Sequence, residues 1–512
     1  MTEKADLLDA DASNQDPVYK LRHSLAHIMA QAVLEMRPGA KRGFGPPIDT
    51  GFYYDFILPE PITPEDFPEI ESRMKKIIGR NQDFVQEELV IPEALRRLEE
   101  MGEPYKVAYA KELAAKHGLH TLSFYTNGPF VDMCEGPHLA RTRDVPKGCF
   151  KLRSIAGAYW RGDERNAMMT RLYAWAYGTK EELDEAVRRH EEGLKRDHKK
   201  LGPLLDLYHI DQEAIGKGLI LWMPNGTAIR EELEKLAKEE EFRAGYRRVA
   251  TPHITREQLY YSSGHLPYYA EVMFPPMTVH EQAEGEEGAR DGVKETYYLK
   301  PMNCPHHHRI FAARKRSYRD LPLRLTEYGQ VYRFEGHGML SGLLRVRGMC
   351  MNDAHLYCTE DQIQAELLGV MRLTERYFKL LGIEDFHLRL SLRDPEDPKG
   401  KQKYVDNPDA WEVTEAQVRR ALEESGLPFV EAKGEAAFYG PKIDIQLRTV
   451  TGREETFATN QLDFAVPRAD RMNLTYVGPD GREHHPYVIH RAPLGTHERF
   501  IAYLIEHFGG AF

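Results

Sequence analysis

The sequence predicts an α+β protein of more than one domain, and three observations carry that prediction. Its 512 residues exceed one core at roughly 100–200 residues per domain, which suggests about three. Leu21, Leu25, Ile28, Met29 and Val33 recur at helical spacing near the start. Farther on, LTEYGQVYRFE, AHLYC, HLRLSL and KIDIQLR alternate at period two between Gly- and Asn-centred turns, which favours an antiparallel sheet flanked by helices.

Taken in order, residues 1–17 form a flexible polar lead-in, and the first helix begins near Tyr19. GFGPPIDTGFYYDF reads as a turn followed by a strand. Helices are predicted around Glu65–Arg80 and Pro92–Met101, and short strands near Phe124–Tyr125, Ala158–Trp160 and Met169–Ala174. Together these make one α+β domain over 18–178. Residues 179–205 carry opposite charges at i,i+4, few apolar positions and a Gly-Pro stop, as a polar linker helix would. A second domain, 206–512, holds the alternating strands. HEQAEGEEGARDGVKE (His280–Glu295) reads as an exposed loop.

Composition narrows the function. With 41% hydrophobic and 29% charged residues the chain is neither fibrous nor disordered. A formal net charge of −11 gives no global attraction to nucleic acid, though a local basic face remains compatible with it. Five scattered cysteines suggest reduced thiols, some of them metal ligands. No run of 18 apolar residues is present, so no membrane span is expected, and the cytoplasm is the default. Neither GxGxxG after a strand nor GxxxxGK[ST] occurs.

Two constellations carry chemistry. In the first, His23 and His27 at i,i+4 share a helix face, and DMCEGPHLART places Cys134 four residues before His138, with Asp132 nearby. Three His and one Cys suit either a tetrahedral zinc or a polar helix face. HSLAHIMAQAV, TGFYYDF, GEPYK and VDMCEGPHLART resemble the editing domain of threonyl-tRNA synthetases. The resemblance implies hydrolysis of mischarged seryl-tRNA by His23, His27, Cys134 and His138, with Asp132 and Lys106 beside them, and water activated without a metal. Imidazole can take a proton from water near neutral pH; a lysine can steady the developing oxyanion.

In the second, KPMNCPHHH, MNDAHLYC and YVIHRAPLGTHERF contain possible ligands among 22 His and five Cys. Composition does not choose among them; His306, His307, His308, His484 and His485 compete, most of them expected to be exposed or behind the ligands. LTEYGQVYRFE with GLLRVRGMCMNDAHLYC resembles motif 2 of class II aminoacyl-tRNA synthetases, APLGTHERFIAYLIEHFGG motif 3, and the segment from Gly218 to Ile254 motif 1. With KPMNCP and FYGPKID these are similar to threonyl-tRNA synthetases from about Tyr19 to Phe512, with a class II catalytic domain on an antiparallel sheet.

The resemblance implies one zinc held by Cys304, His355 and His490, and Mg²⁺ arriving with ATP. Arg333 and Arg499 would hold the α- and γ-phosphates, Arg345 would assist, and Glu335 would accept from the adenine amino group. Asp353, Tyr439 and Gln461 would line the threonine pocket. An apolar pocket separates threonine from valine only about a hundredfold, whereas a metal can bind the hydroxyl that valine lacks. Serine keeps that hydroxyl, and one methyl is worth roughly 1–3 kcal/mol, so a second, hydrolytic site is needed.

The expected reaction is threonyl-adenylate formation and transfer to tRNA(Thr), with a homodimer built through motif 1. Two other outcomes fit the same residues: an adenylating paralogue serving a different acceptor, or an RNA-binding regulatory relative, against which the intact Arg333, Arg499, Cys304, His355 and His490 argue. The pattern departs from the family at Met351 and Thr456, where Gln is expected, and in lacking the usual anticodon-binding and β-grasp domains. The basic run Arg309–Arg324 is expected as a solvated helix face that can also meet RNA phosphates.

Overall fold

The computed structural model describes residues 16–163, 165–280, 294–396, 403–452 and 454–512. The chain divides into two compact units, Met1–Arg188 and Arg189–Phe512.

In the first unit, helix α1 (Pro17–Met36) starts where the Asp16 side chain accepts from Val18 N and Pro17 supplies a preset φ. Its five predicted apolar positions are all buried, and His23 and His27 with them. They share a core with Phe52, Tyr54 and Phe56 of β1 (Gly51–Ile57) and with α2 (Phe67–Gly79). β1 sits in an antiparallel sheet ordered Lys41–Arg42, β1, β6 (Met168–Ala176), β5 (Phe150–Tyr159), with Pro47–Ile48 folding back on β1. A separate three-stranded sheet runs β2 (Phe84–Val90), β3 (Thr121–Asn127), β4 (Phe130–Met133), and buries Leu122, Phe124 and Met133 against α3 (Ile91–Glu100) and α4 (Pro104–His117). The strand expected at Ala158–Trp160 is the end of β5 (Phe150–Tyr159). Trp160 instead opens a short 3₁₀ turn in which Arg161 has φ 61°. The next strand, β6, spans Met168–Ala176.

The linker expectation needs correcting. Residues 179–205 form two helices, α5 (Lys180–Arg196) and α6 (His198–Leu204). Asp197 breaks the run because its non-helical backbone (ψ 121°) and side-chain bond to Lys199 N begin a new helix. Gly202-Pro203 lies inside α6 rather than ending it, and a Cβ at Gly202 would meet the Tyr208 ring at 2.1 Å. α5 buries only Leu183, as a polar helix should.

The second unit is built on an eight-stranded sheet ordered Arg247–Arg248, β7 (Leu323–Tyr332), β8 (Gly348–Cys358), β13 (Tyr487–Arg491), β12 (Glu454–Asp463), β11 (Lys442–Arg448), β9 (Phe386–Leu392), β10 (Phe429–Lys433). The centre is antiparallel as expected; the outermost pair at each edge is parallel. β8 sorts its side chains by parity. Ala354, Leu356 and Cys358 enter a core with α7 (Pro224–Arg243), α9 (Ile363–Leu380), α10 (Pro408–Ser425) and α11 (His497–Phe508). Tyr357 packs instead on Phe311 of α8 (Cys304–Ala312).

Two further expectations change. The basic run Arg309–Arg324 is not one helix face: α8 ends at Ala312, a 3₁₀ turn follows at Tyr318–Asp320, and β7 starts at Leu323. Of the loop expected at 280–295, residues 281–293 lie outside the described residues. Its flanks are the paired strands Met277–His280 and Lys294–Leu299. No helix among the described residues is long and apolar enough to cross a membrane.

Candidate functional site

The first cluster forms where α1 meets the chain just past β4. One helical turn separates His23 from His27, and Cys134 and His138 lie on the loop that follows β4. All four donor atoms lie within 4.8 Å of one another. Cys134 Sγ is 3.0 Å from His23 Nε2 and 3.3 Å from His138 Nε2. Ser24 Oγ accepts from Leu139 N and lies 3.3 Å from His138 Nδ1, while Phe84 stacks on the His138 ring at 5.0 Å. The Nδ1 atoms of His23 and His27 are buried and have no hydrogen-bond partner among the described residues.

Asp132 on β4 is the electrostatic hub. Its carboxylate lies 3.1 Å from Lys106 Nζ and 4.0 Å from Arg42, accepts from the Tyr54 hydroxyl, and is 3.9 Å from His27 Nε2. Burial pushes its pKa up, but Lys106, Arg42, His27 and Tyr54 outweigh that and hold it at about 2. Burial also lowers His23 to about 4 and His27 to about 3, against the pull of Asp132, and raises the Cys134 thiol to about 12. The imidazoles are therefore neutral near pH 7 and the sulfur is a thiol. Lys106 itself is 3% exposed. Arg42, Glu103, Tyr54 and Ser24 complete this site. Tyr54, Glu103 and Ser24 sit inside the quoted motifs, but nothing in one sequence marks them as partners of Asp132 and His138.

In the second unit, α8, β8 and β13 bring Cys304, His355 and His490 within 4.8 Å. His490 Nδ1 is 3.2 Å from His355 Nε2 and 4.0 Å from Cys304 Sγ. Register explains the convergence, since His355 and His490 are direct cross-strand partners. Asp353 Oδ1 lies 3.0 Å from His490 Nδ1, and Asn303 Nδ2 donates to its other oxygen at 3.0 Å. Burial opposes a charge on His490, but Asp353 and then Cys304 raise it to about 10. One thiol and two imidazoles next to a buried carboxylate are a donor set that fits Zn²⁺, with a coordination position left over.

Sequence reasoning left His307 in reserve. The structure buries it completely and places its Nδ1 2.8 Å from His355 Nδ1 and its Nε2 3.2 Å from Glu327 Oε1. Glu327 also accepts from Thr251 N and Oγ1. His306 and His308 are buried too, while His484 and His485 are exposed. Tyr439 donates to Gln461 Oε1, and both line a cavity with Cys304, His355 and His490. His265, Tyr269 and Asp463 line the same cavity and were not expected. Asp463 Oδ1 accepts from Ala465 N and Val466 N, yet burial raises its pKa to about 7.

The three arginines lie near one another, since Arg333 and Arg345 both bear on Arg499, which lines a second cavity with Leu344 and Thr456. The charge of Arg333, at the end of β7, is felt by His265, Tyr269 and Tyr439 and by Arg499. Arg499 donates to the carbonyls of Leu344 and Thr456. Arg345 is ion-paired with Glu335 at 2.8 Å, so these two expected ATP contacts hold each other. Thr456 bonds Gln446 through its hydroxyl, and Met351 pairs with Gly329 across the sheet.

Residues 286–508 match the tRNA synthetase class II core domain (G, H, P, S and T), and residues 122–173 match the threonyl and alanyl tRNA synthetase second additional domain. The threonine–tRNA ligase of Deinococcus radiodurans is 47% identical over 498 residues, 96% of this chain and 73% of that protein. That of a Thermus thermophilus strain is 46% identical over 513 residues, 98% of this chain and 75% of that protein. Among solved structures, the RNA binding domain of threonyl-tRNA synthetase from Cryptosporidium parvum Iowa II superposes with TM-score 0.54 at 34% identity, covering 62% of this chain and 73% of that one. With relatives this similar along nearly its whole length, the chain belongs to the threonyl-tRNA synthetase family.

Proposed function

We propose that the chain activates threonine with ATP, transfers it to tRNA(Thr), and hydrolyses mischarged seryl-tRNA at the first cluster. The observation that carries this is the pairing in one chain of two His/Cys clusters with different charge environments, only one of which stands beside a group of arginines.

In the second unit, Cys304, His355 and His490 would hold Zn²⁺, which when bound supplies a Lewis acid for the amino and hydroxyl groups of threonine. Asp353 is placed to take the hydroxyl proton, and Tyr439 and Gln461 orient the side chain from the facing wall. Arg333, between the cavity and Arg499, would hold the α-phosphate during carboxylate attack, while Arg499 grips the γ-phosphate. Catalysis of this kind is mostly alignment and charge neutralisation. Nucleotide binding would draw Glu335 toward the adenine amino group and free Arg345 from their ion pair, and Mg²⁺ accompanies the phosphates.

In the first unit, an ester entering among His23, His27 and His138 meets neutral imidazoles able to accept a proton from water. Lys106 supplies positive charge near the developing oxyanion. Asp132, the carboxylate beside this cluster, is engaged by Lys106, Arg42 and Tyr54 and is not itself one of the four donors, so we assign the cluster no metal. Phe242 at the end of α7 is 79% exposed and Ile254 48% exposed, which supports a homodimer through motif 1, testable by light scattering. Charging of tRNA for translation puts the protein in the cytoplasm.

Threonine-dependent ATP–pyrophosphate exchange, followed by transfer of labelled threonine to tRNA, tests the main assignment. Exchange without transfer would point to another acceptor, and absence of exchange would overturn the proposal.

A further inference from the structure

A third cluster of metal-type donors lies in the second unit. Because β8 alternates, Asp353 and His355 face the zinc cluster whereas Cys350 and Asn352 face the other way. Asn352 Nδ2 donates to Glu241 of α7 at 2.8 Å, which fixes that direction. On this face the ligand atoms of Cys350, Glu234 of α7 and His497, the first residue of α11, all lie within 4.8 Å of one another. Cys350 is 6% exposed and His497 3%.

His497 is held ready. Tyr328 stacks on its ring at 4.6 Å, and its Nε2 lies 3.3 Å from Glu234 Oε1. Apart from that carboxylate, the nitrogen has no hydrogen-bond partner among the described residues. Cys350 is fixed at its backbone, where N donates to Glu498 Oε2 at 3.1 Å. The charges facing the cluster are Glu234, Glu498, Arg230 and Lys238, the last bonded to Glu234 at 2.9 Å.

We infer that Glu234, Cys350 and His497 form a second site for a borderline-soft divalent cation such as Zn²⁺, on the opposite face of the sheet from the threonine cavity. Thiolate, imidazole and carboxylate are an accepted ligand mixture for that ion, with water completing four-coordination. Binding breaks the Cys350 S–H bond and forms a metal–sulfur bond, and the proton leaves to solvent. Thiolate and Glu234 carboxylate then set two negative charges against the dication. The site ties together α7, β8 and α11, the elements of motifs 1, 2 and 3, and stands two residues before Arg499. It would thus be structural, setting where that arginine points.

The test uses the full chain carrying Cys134→Ser and Cys304→Ser. This removes the thiols of the other two clusters, and Cys149 and Cys358 belong to no donor cluster among the described residues. Titration with Co²⁺ should give a thiolate-to-cobalt charge-transfer band saturating at one equivalent. Adding Cys350→Ser should abolish it, and adding His497→Ala should shift or weaken it. No band in the parent variant, or a band that survives Cys350→Ser, overturns the proposal. If the multiple variants do not fold, Cys350→Ser alone, in an otherwise unaltered zinc-loaded chain, should lower zinc by one per chain. Unchanged zinc overturns the proposal equally. Neither outcome depends on the Cys304 cluster, whose failure would appear in threonine activation instead.

Discussion

The two principal clusters use the same side-chain types and differ in the charges around them. Around His23, His27, Cys134 and His138, the carboxylate Asp132 is already claimed by Lys106, Arg42 and Tyr54. Around Cys304, His355 and His490, Asp353 lies directly against a candidate ligand, and Glu327 backs another through His307. Burial keeps the imidazoles of the first cluster neutral and its carboxylate is already engaged; in the second, Asp353 raises His490 while burial still lowers His355. Ligand identity alone does not separate a hydrolytic site from a metal site. The neighbouring charges do.

The largest effect that should sharpen this contrast is His138→Ala. It removes an imidazole of the site we propose to be hydrolytic, and seryl-tRNA hydrolysis should fall about 10²–10⁴-fold, while ATP–pyrophosphate exchange with threonine stays intact. Both can be read on the same preparation with labelled seryl-tRNA and pyrophosphate, and equal loss of both would show that the clusters are not independent. Next comes Arg333→Ala. Losing a preorganised charge on the α-phosphate should cost about 10²–10³ in the exchange rate, with editing unaffected.

A smaller effect is expected at His307→Asn. If His355 binds through Nε2, its Nδ1–H must donate to His307 Nδ1, and His307 then donates from Nε2 to Glu327. Breaking that chain should weaken zinc about 10–100-fold, measured as faster loss to a chelator, with the Cys304 thiolate–cobalt spectrum altered but present.

The smallest signal is a flat line. With His23 at about 4 and His27 at about 3, editing should show no imidazole inflection between about pH 5 and 8, where a free imidazole titrates. Stability moves with Asp132. Its folded pKa of about 2 is below the reference 3.8, so its contribution is present above about pH 4 and lost as pH falls through about 2. Asp132→Asn should therefore destabilise the chain near neutrality by about 2 kcal/mol and lose that effect in strong acid, as denaturant melts at the two pH values would show.

Much of this was legible in the sequence, for identifiable reasons. The face of α1 could be read because 3.6-residue periodicity is local, and the motif words singled out Cys304, His355 and His490, whose donor atoms lie within 4.8 Å of one another. The β-strand alternation of AHLYC also placed His355 on a sheet face, but its cross-strand pairing with His490 is a register that only the fold supplies. Outer partners escaped notice because they are distant in the chain: Glu327 and His307 meet on different elements, as do Arg42 and Asp132. The linker was misjudged because a single Asp at 197 outweighs favourable helix propensity on either side. Cys350 and His497 gave no signal at all. A lone Cys in a strand and a His at a helix start become a pair only when the sheet and α11 are assembled.

The most direct test strips the chain of metal with a chelator and measures exchange with threonine and with valine. Loss of threonine-dependent exchange on stripping is predicted, with recovery on adding zinc to the unaltered chain but not to Cys304→Ser. A metal-free chain that still activates threonine and still refuses valine would contradict the account.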